Sequence, residues 1–279
     1  MKHTRYFAGI FTGALILISS GFAHGACQVT KSQDQANDTI QEYRSEKNPT
    51  NKSVLIMPPT GGENILDRKL AGVICDSGLN SVIFNYAQLP GDVANLGTHD
   101  EATLRTLQSL NNFLSTRSEQ FVLVGSSLGS LYTSMALGLS RLPHGNQFPA
   151  FQKIRGAVLV VCGGPLSEIL ATSQLKEVVA QRNARLQMFG YKNASEYQKA
   201  LDGAIALDPL KLTVPELKSK VLMFSSSVDV AVPAHTQDEL WQAWGQPERH
   251  MYSVSHAETI VKVYLFQGAK IREFAQSVF

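Results

Sequence analysis

Cysteine, clustered positive charge and long apolar runs are all scarce in this chain. Three cysteines in 279 residues, none at metal-ligand spacing with histidine, give no sign of a metal site, and no cofactor is expected. Past the first few residues lysine and arginine nowhere cluster, so nothing tracks a phosphate backbone and no nucleic-acid partner is expected. The apolar run Phe7–Ile18 is twelve residues. As a helix it spans about 18 Å, well short of a hydrocarbon core of roughly 30 Å. No repeat or low-complexity tract appears. What is left is an ordinary globular composition, 44% apolar and 17% charged, in a length routinely folded as one domain.

The N-terminus reads as an export signal over residues 1–25. Lys2, His3 and Arg5 make a basic start, Phe7–Ile18 the apolar stretch and Ser19-Ser20-Gly21-Phe22-Ala23 a small-residue exit, with cleavage after Ala23 or Gly25. A periplasmic or secreted location follows. Loss of Lys2 and Arg5 with that segment takes the formal charge from +2 to zero. Cys27 has two readings. Following Gly25-Ala26, it suits bacterial lipidation and membrane attachment, although His24 stands where that pattern has an aliphatic residue. In an oxidising compartment it pairs instead with Cys75. Cys162 ends the apolar strand Ala157–Val161 and reads as a small buried hydrophobe.

From residue 26 onward the pattern alternates strand and helix. Asp38–Ser45, with Ile40 and Tyr43 alternating, suits an exposed antiparallel strand at a sheet edge. Strands are then expected at 53–57, 81–86, 121–125, 156–162, 220–225 and 249–254, with helices at 64–77, 98–116, 127–141, 234–244 and 257–277. This alternation predicts an α/β fold, a mostly parallel central sheet with helices on both faces. An insertion of about 164–216 has helical spacing at Leu166, Ile169, Leu170, Leu175, Val178 and Val179, and a second helix starting at Asn193. Emerging after a central strand, it is expected either to cap the site and shape access or to be a pair of crossover helices without that role. Phe189 and Tyr191 face a pocket or anchor the cap.

The most informative segment is Phe121-Val-Leu-Val-Gly125-Ser126-Ser127-Leu128-Gly129. A buried strand runs into Gly-x-Ser-x-Gly and then into a helical pattern. The bare pentapeptide occurs by chance in roughly one chain in seven of this length, so its context carries the argument. At a sharp strand-to-helix corner Ser127 is held with its hydroxyl off the sheet. Gly125 and Gly129 are required because side chains there collide with the neighbouring strand or helix. The helix start aims free N–H groups, that of Leu128 among them, at a developing oxyanion.

A base and an acid follow in order. Asp229 lies just past the strand Lys220–Ser225, in a polar loop closed by Pro233, and His256 lies past the strand ending at Val254. The order Ser127, Asp229, His256, each after a strand, resembles the α/β-hydrolase superfamily, specifically its serine esterases, lipases and peptidases, over roughly Ile40 to the C-terminus. The resemblance implies Ser127 as nucleophile, His256 as general base and then acid, and Asp229 as the group orienting the imidazole. Many relatives carry Gly-His where this chain has Ser255-His256.

A second oxyanion donor is expected in the loop after an early strand, Pro58-Pro59-Thr60-Gly61-Gly62, from the N–H of Gly61 or Gly62 beside that of Leu128. Asn64 suits the cap of the following helix. His99, His144, His235 and His250 are rival bases, each better read as surface or packing, while Asp202 and Asp208 are rival acids that both lie in the expected cap, so Asp229 has the better position. Ser126 is one residue off the corner and reads as support, while Trp241 and Trp244 read as core anchors. The expected activity is an exported serine hydrolase cleaving a small carboxylic ester or other acyl substrate. Peptidase, thioesterase or acyltransferase chemistry on the same fold, or a binding protein without turnover, stand as alternatives.

Overall fold

The computed structural model describes residues 27–33, 38–46, 51–88 and 91–279. The expected export signal, residues 1–25, lies outside them. Eight strands form one sheet: β1 (Cys27–Gln33), β2 (Thr39–Ser45), β3 (Lys52–Met57), β4 (Asn80–Asn85), β5 (Gln120–Ser126), β6 (Ile154–Val160), β7 (Val221–Ser226) and β8 (Glu248–Tyr252). Their spatial order is β1-β2-β4-β3-β5-β6-β7-β8. β1 and β2 run antiparallel to their neighbours and the rest are parallel, with Val54 opposite Val122 and Leu55 opposite Leu123. The central strands carry near-continuous apolar runs because a parallel sheet is covered on both faces.

The period of two sorts those side chains into two cores. Val54 and Ile56 of β3, with Val122 and Val124 of β5, pack under α1 (Ile65–Asp76), α8 (His256–Phe266) and α9 (Gly268–Val278). Leu55, Met57 and Leu123 face the other way, under α2 (Thr98–Ser115), α3 (Leu128–Leu139) and α7 (Ala234–Ala243). Trp244 is fully buried there and donates its indole N–H to Ser134, while the half-buried Trp241 bonds the Pro247 carbonyl.

Three expectations need correction. The segment ending at Ser45 is not an exposed edge: β1 pairs outside it, and Ile40 and Tyr43 are buried. Apart from Cys27 and Val29, β1 is polar, so nothing in its own sequence announces a strand; it is held by its ladder and by the Cys27–Cys75 disulfide, which ties it to α1. The C-terminal helix is two helices, broken at Gln267 so that α8 and α9 each pack on α1. The insertion holds three helices, α4 (Leu166–Thr172), α5 (Lys176–Phe189) and α6 (Ala194–Ala204). The expected first helix is interrupted at Ser173, where the Gln174 N–H turns out to the Val230 carbonyl, 2.8 Å away. Asn193 caps α6 as expected, its side chain accepting from the Glu196 N–H.

Among the described residues no helix is long and apolar enough to cross a membrane.

Candidate active site

β5 delivers Ser127 to the corner before α3. Its backbone stands at φ 51° and ψ −120°, a region that non-glycine residues rarely occupy. The two flanking glycines make the corner possible. A Cβ on Gly125 would lie 2.4 Å from the Gly129 carbonyl oxygen, and one on Gly129 would lie 2.1 Å from that of Met57 at the end of β3. Ser127 is only 7% exposed. Its N–H is bonded to the Val160 carbonyl, and the Ser130 hydroxyl donates to its carbonyl.

Asp229 follows β7 by three residues and is 4% exposed. Its Oδ1 accepts the N–H groups of Ala231 at 2.8 Å and Val232 at 3.0 Å, a turn closed by the aspartate itself. Its Oδ2 accepts from Gln237 Nε2 at 3.0 Å and lies 2.7 Å from His256 Nδ1. His256 Nε2 is in turn 2.9 Å from Ser127 Oγ. Three side chains separated by 102 residues between Ser127 and Asp229 and 27 between Asp229 and His256 thus form one continuous hydrogen-bonded chain.

His256 is the first residue of α8. Ser255 caps that helix: its hydroxyl accepts the Glu258 N–H, and the Glu258 carboxylate accepts the Ser255 N–H. The residue that departs from Gly-His therefore has a structural task, orienting the helix that carries the imidazole.

Gln237, on the first turn of α7, escaped the sequence reading. It is fully buried, donates to Asp229 and to the Val232 carbonyl at 2.8 Å, and accepts the Ser226 N–H at 3.1 Å. A polar residue on the buried side of α7 was the only available signal.

The N–H groups expected to serve as oxyanion donors differ in what they already bond. Leu128 is the first residue of α3, so its N–H has no intrahelical acceptor. Gly61 and Gly62 both have positive φ, and both N–H groups are already used inside the protein. That of Gly61 bonds Gln88 Oε1 at 3.0 Å, and that of Gly62 the Pro59 carbonyl at 3.0 Å.

No rival base or acid with a described side chain joins Ser127. His99 packs beside Arg185, and burial first, then that guanidinium, lower its pKa to about 4. His235 pairs with Glu168, and His250 with Glu248 while stacking on Phe224. His144 sits in the short 3-10 turn Pro143–Gln147. Asp202 accepts the Ser167 hydroxyl, and Asp208 holds the N–H groups of Leu166 and Leu210. Ser126 is buried under the corner. Phe189, Tyr191 and Tyr197 pack in series as tilted ring pairs, anchoring the insertion to itself. Arg185 of α5 is buried, with its guanidinium on the carbonyls of Asp92, Val93 and Asn95, so the insertion is bolted to the loop before α2. Burial pushes the Cys162 thiol up to about 12. Among the described residues no group of three His, Cys, Asp or Glu could hold a metal ion.

No protein-family profile matches the chain, and no curated protein matches it by sequence. Solved structures do match in shape. An inhibited esterase B from Lactobacillus rhamnosis superposes with a TM-score of 0.59 at 12% identity, covering 91% of this chain and 87% of the other. The Pyrococcus furiosus esterase Pf2001 gives 0.56 at 13% identity, covering 91% of each chain. The thioesterase domain of the curacin biosynthetic pathway gives 0.54 at 13% identity, covering 90% and 99%.

The fold is that of the α/β-hydrolases. In this α/β-hydrolase fold Ser127, Asp229 and His256 all lie beyond the carboxyl ends of parallel strands, where such sheets hold their ligands.

Proposed function

We propose that this chain is a serine hydrolase that cleaves carboxylic esters through an acyl-Ser127 intermediate. The observation that carries the reading is the unbroken hydrogen-bonded chain Asp229–His256–Ser127 at 2.7 and 2.9 Å. A serine hydroxyl is a weak nucleophile until an imidazole takes its proton; the 2.9 Å separation lies within transfer reach and the 2.7 Å one is a hydrogen bond that orients the ring. In the first step Ser127 Oγ attacks the ester carbonyl carbon and its proton passes to His256 Nε2. The Asp229 carboxylate fixes the imidazole through Nδ1–H and stabilises the imidazolium. Backbone N–H groups, with Leu128 as one donor, take the negative charge on the carbonyl oxygen. The tetrahedral species collapses, the alkoxide leaves with the proton from His256, and a water activated by the same imidazole releases the acid.

The decisive experiment is phosphonate labelling of the purified protein together with hydrolysis of p-nitrophenyl acetate. A single adduct at Ser127, and turnover lost in Ser127→Ala, are expected. A folded protein with no adduct, or equal rates for both proteins, would end the reading and favour a binding role. Thioester cleavage is the second reading, favoured by the shape shared with the curacin-pathway thioesterase domain. Paired ester and thioester substrates of one acyl length separate the two.

Export belongs to the same proposal. It is supported by the leader pattern of residues 1–25 and by the Cys27–Cys75 disulfide, a bond that persists in oxidising compartments. A sulfur in a disulfide has no valence left for a lipid thioether, so this bond and the lipidated alternative exclude each other. The intact mass of protein from the cell envelope distinguishes them.

A further inference from the structure

The loop after β3 lies against the nucleophile corner, because a Cβ on Gly129 would meet the carbonyl oxygens of Met57 and Pro58 at 2.1 and 2.5 Å. Its amide hydrogens divide plainly. Pro58 and Pro59 have none. The Gly61 N–H bonds Gln88 Oε1 and the Gly62 N–H bonds the Pro59 carbonyl. The Glu63 N–H bonds Asn85 Oδ1 at 2.8 Å and the Asn64 N–H bonds Asp67 Oδ2 at 2.9 Å. Among the described residues, no acceptor engages the N–H of Thr60.

We propose that Gln88 is a positioning residue that aims the Thr60 N–H, the donor this loop leaves free, to join that of Leu128 in the oxyanion site the hydrolase reading already implies. The inference rests on the hydrolase reading and deepens it. A trans peptide unit is planar, with its C=O and N–H pointing in opposite directions. The Pro59 carbonyl and the Thr60 N–H are the two ends of one such unit. Gln88 Nε2 donates to that carbonyl at 3.0 Å, and the Gly62 N–H donates to it from the other side of the turn. Fixing the carbonyl end fixes the direction of the N–H end. Gln88 also accepts from Gly61, so one side-chain amide brackets Thr60 from both flanks. The preceding unit is held as well, since the Tyr86 hydroxyl donates to the Pro58 carbonyl at 2.8 Å. Two prolines with fixed φ reduce what freedom remains. The donor is thereby set before substrate arrives, which is the condition under which such a group accelerates a reaction.

The test compares wild type, Gln88→Met and Thr60→Pro in ester hydrolysis, with rates divided by the number of Ser127 sites titrated by a phosphonate. Methionine has the length of glutamine and neither hydrogen bond. Gln88→Met is expected to lower kcat per titrated site roughly tenfold, with KM within about twofold and the melting temperature unchanged. Thr60→Pro, which removes the N–H itself, is expected to cost about a hundredfold or more. In Gln88→Met, affinity for a boronic acid, which forms a tetrahedral adduct on serine, is expected to fall by the same factor as kcat/KM. Unchanged kcat per titrated site in either variant would overturn the proposal, as would a Gln88→Met protein that only melts earlier. If wild type shows no Ser127-dependent turnover or labelling, the hydrolase reading fails and carries this one with it. Wild-type turnover and labelling beside an indifferent Gln88→Met overturns this proposal and leaves the hydrolase reading standing.

Discussion

At Ser127 a non-glycine residue is held at a positive φ, a conformation that costs on the order of 1–3 kcal/mol and survives only where its surroundings over-determine it. The surroundings are backbone atoms, and they leave no room for adjustment. Gly129→Ala sets a methyl group against the Met57 and Pro58 carbonyls. It is expected to destabilise by about 2 kcal/mol or more and to abolish turnover, measured by urea denaturation and p-nitrophenyl acetate hydrolysis. Asp229 is likewise pinned by its neighbours. Asp229→Asn keeps the shape but favours the wrong imidazole tautomer, with an expected loss of about 10⁴ in kcat. Gln237→Leu leaves the carboxylate in place but removes one of its four hydrogen-bonding contacts. A smaller loss is expected, about tenfold in kcat with KM little changed, in a steady-state comparison with wild type.

At the scale of elements, the histidine depends on how its helix begins. Ser255 and Glu258 satisfy each other's backbone N–H groups at the start of α8. Ser255→Ala removes the cap and is expected to cost about 1 kcal/mol, with a fall in kcat as the first turn carrying His256 frays. Ser255→Gly, nearer the Gly-His pattern, is expected to cost only a few tenths of a kcal/mol. Thermal melts and kcat for the two variants check the order. β1 makes a second case. Its side chains are exposed from Gln28 onward, so its place depends mainly on its ladder with β2 and on a disulfide closing a separation of 48 residues. Cys27→Ser is expected to lower stability by about 2–4 kcal/mol. Activity per folded molecule stays unchanged, since β1 lies at the far end of the sheet from β7 and β8.

Over the whole molecule, one buried carboxyl sets a pH dependence. Asp67 of α1 has no exposed surface, and burial above all, opposed by the Asn64 N–H and reinforced by Glu63, raises its pKa from 3.8 to about 7. The folded protein therefore holds this proton more tightly than the unfolded chain does. Its contribution is fully favourable below pH 4 and is lost as the pH rises towards 7, up to about 4 kcal/mol for the whole shift. Asp67→Asn cannot ionise, so its stability relative to wild type is expected to rise between pH 5 and pH 8 in denaturant titrations at each pH.

The sequence by itself determined the alternation of apolar strands and helices, the glycine-flanked corner and the order Ser127, Asp229, His256. Each of these is written within a few consecutive residues, where period, small size and turn chemistry act locally. Tertiary structure alone decided what depends on partners far along the chain. It placed polar β1 at the sheet edge, broke the last helix at Gln267, and brought Gln237 against Asp229. It also occupied the N–H groups of Gly61 and Gly62, because Gln88 and the turn carbonyl of Pro59 reached them first. Whether a backbone donor is free depends on every acceptor that folding brings near it, and a local pattern cannot show that.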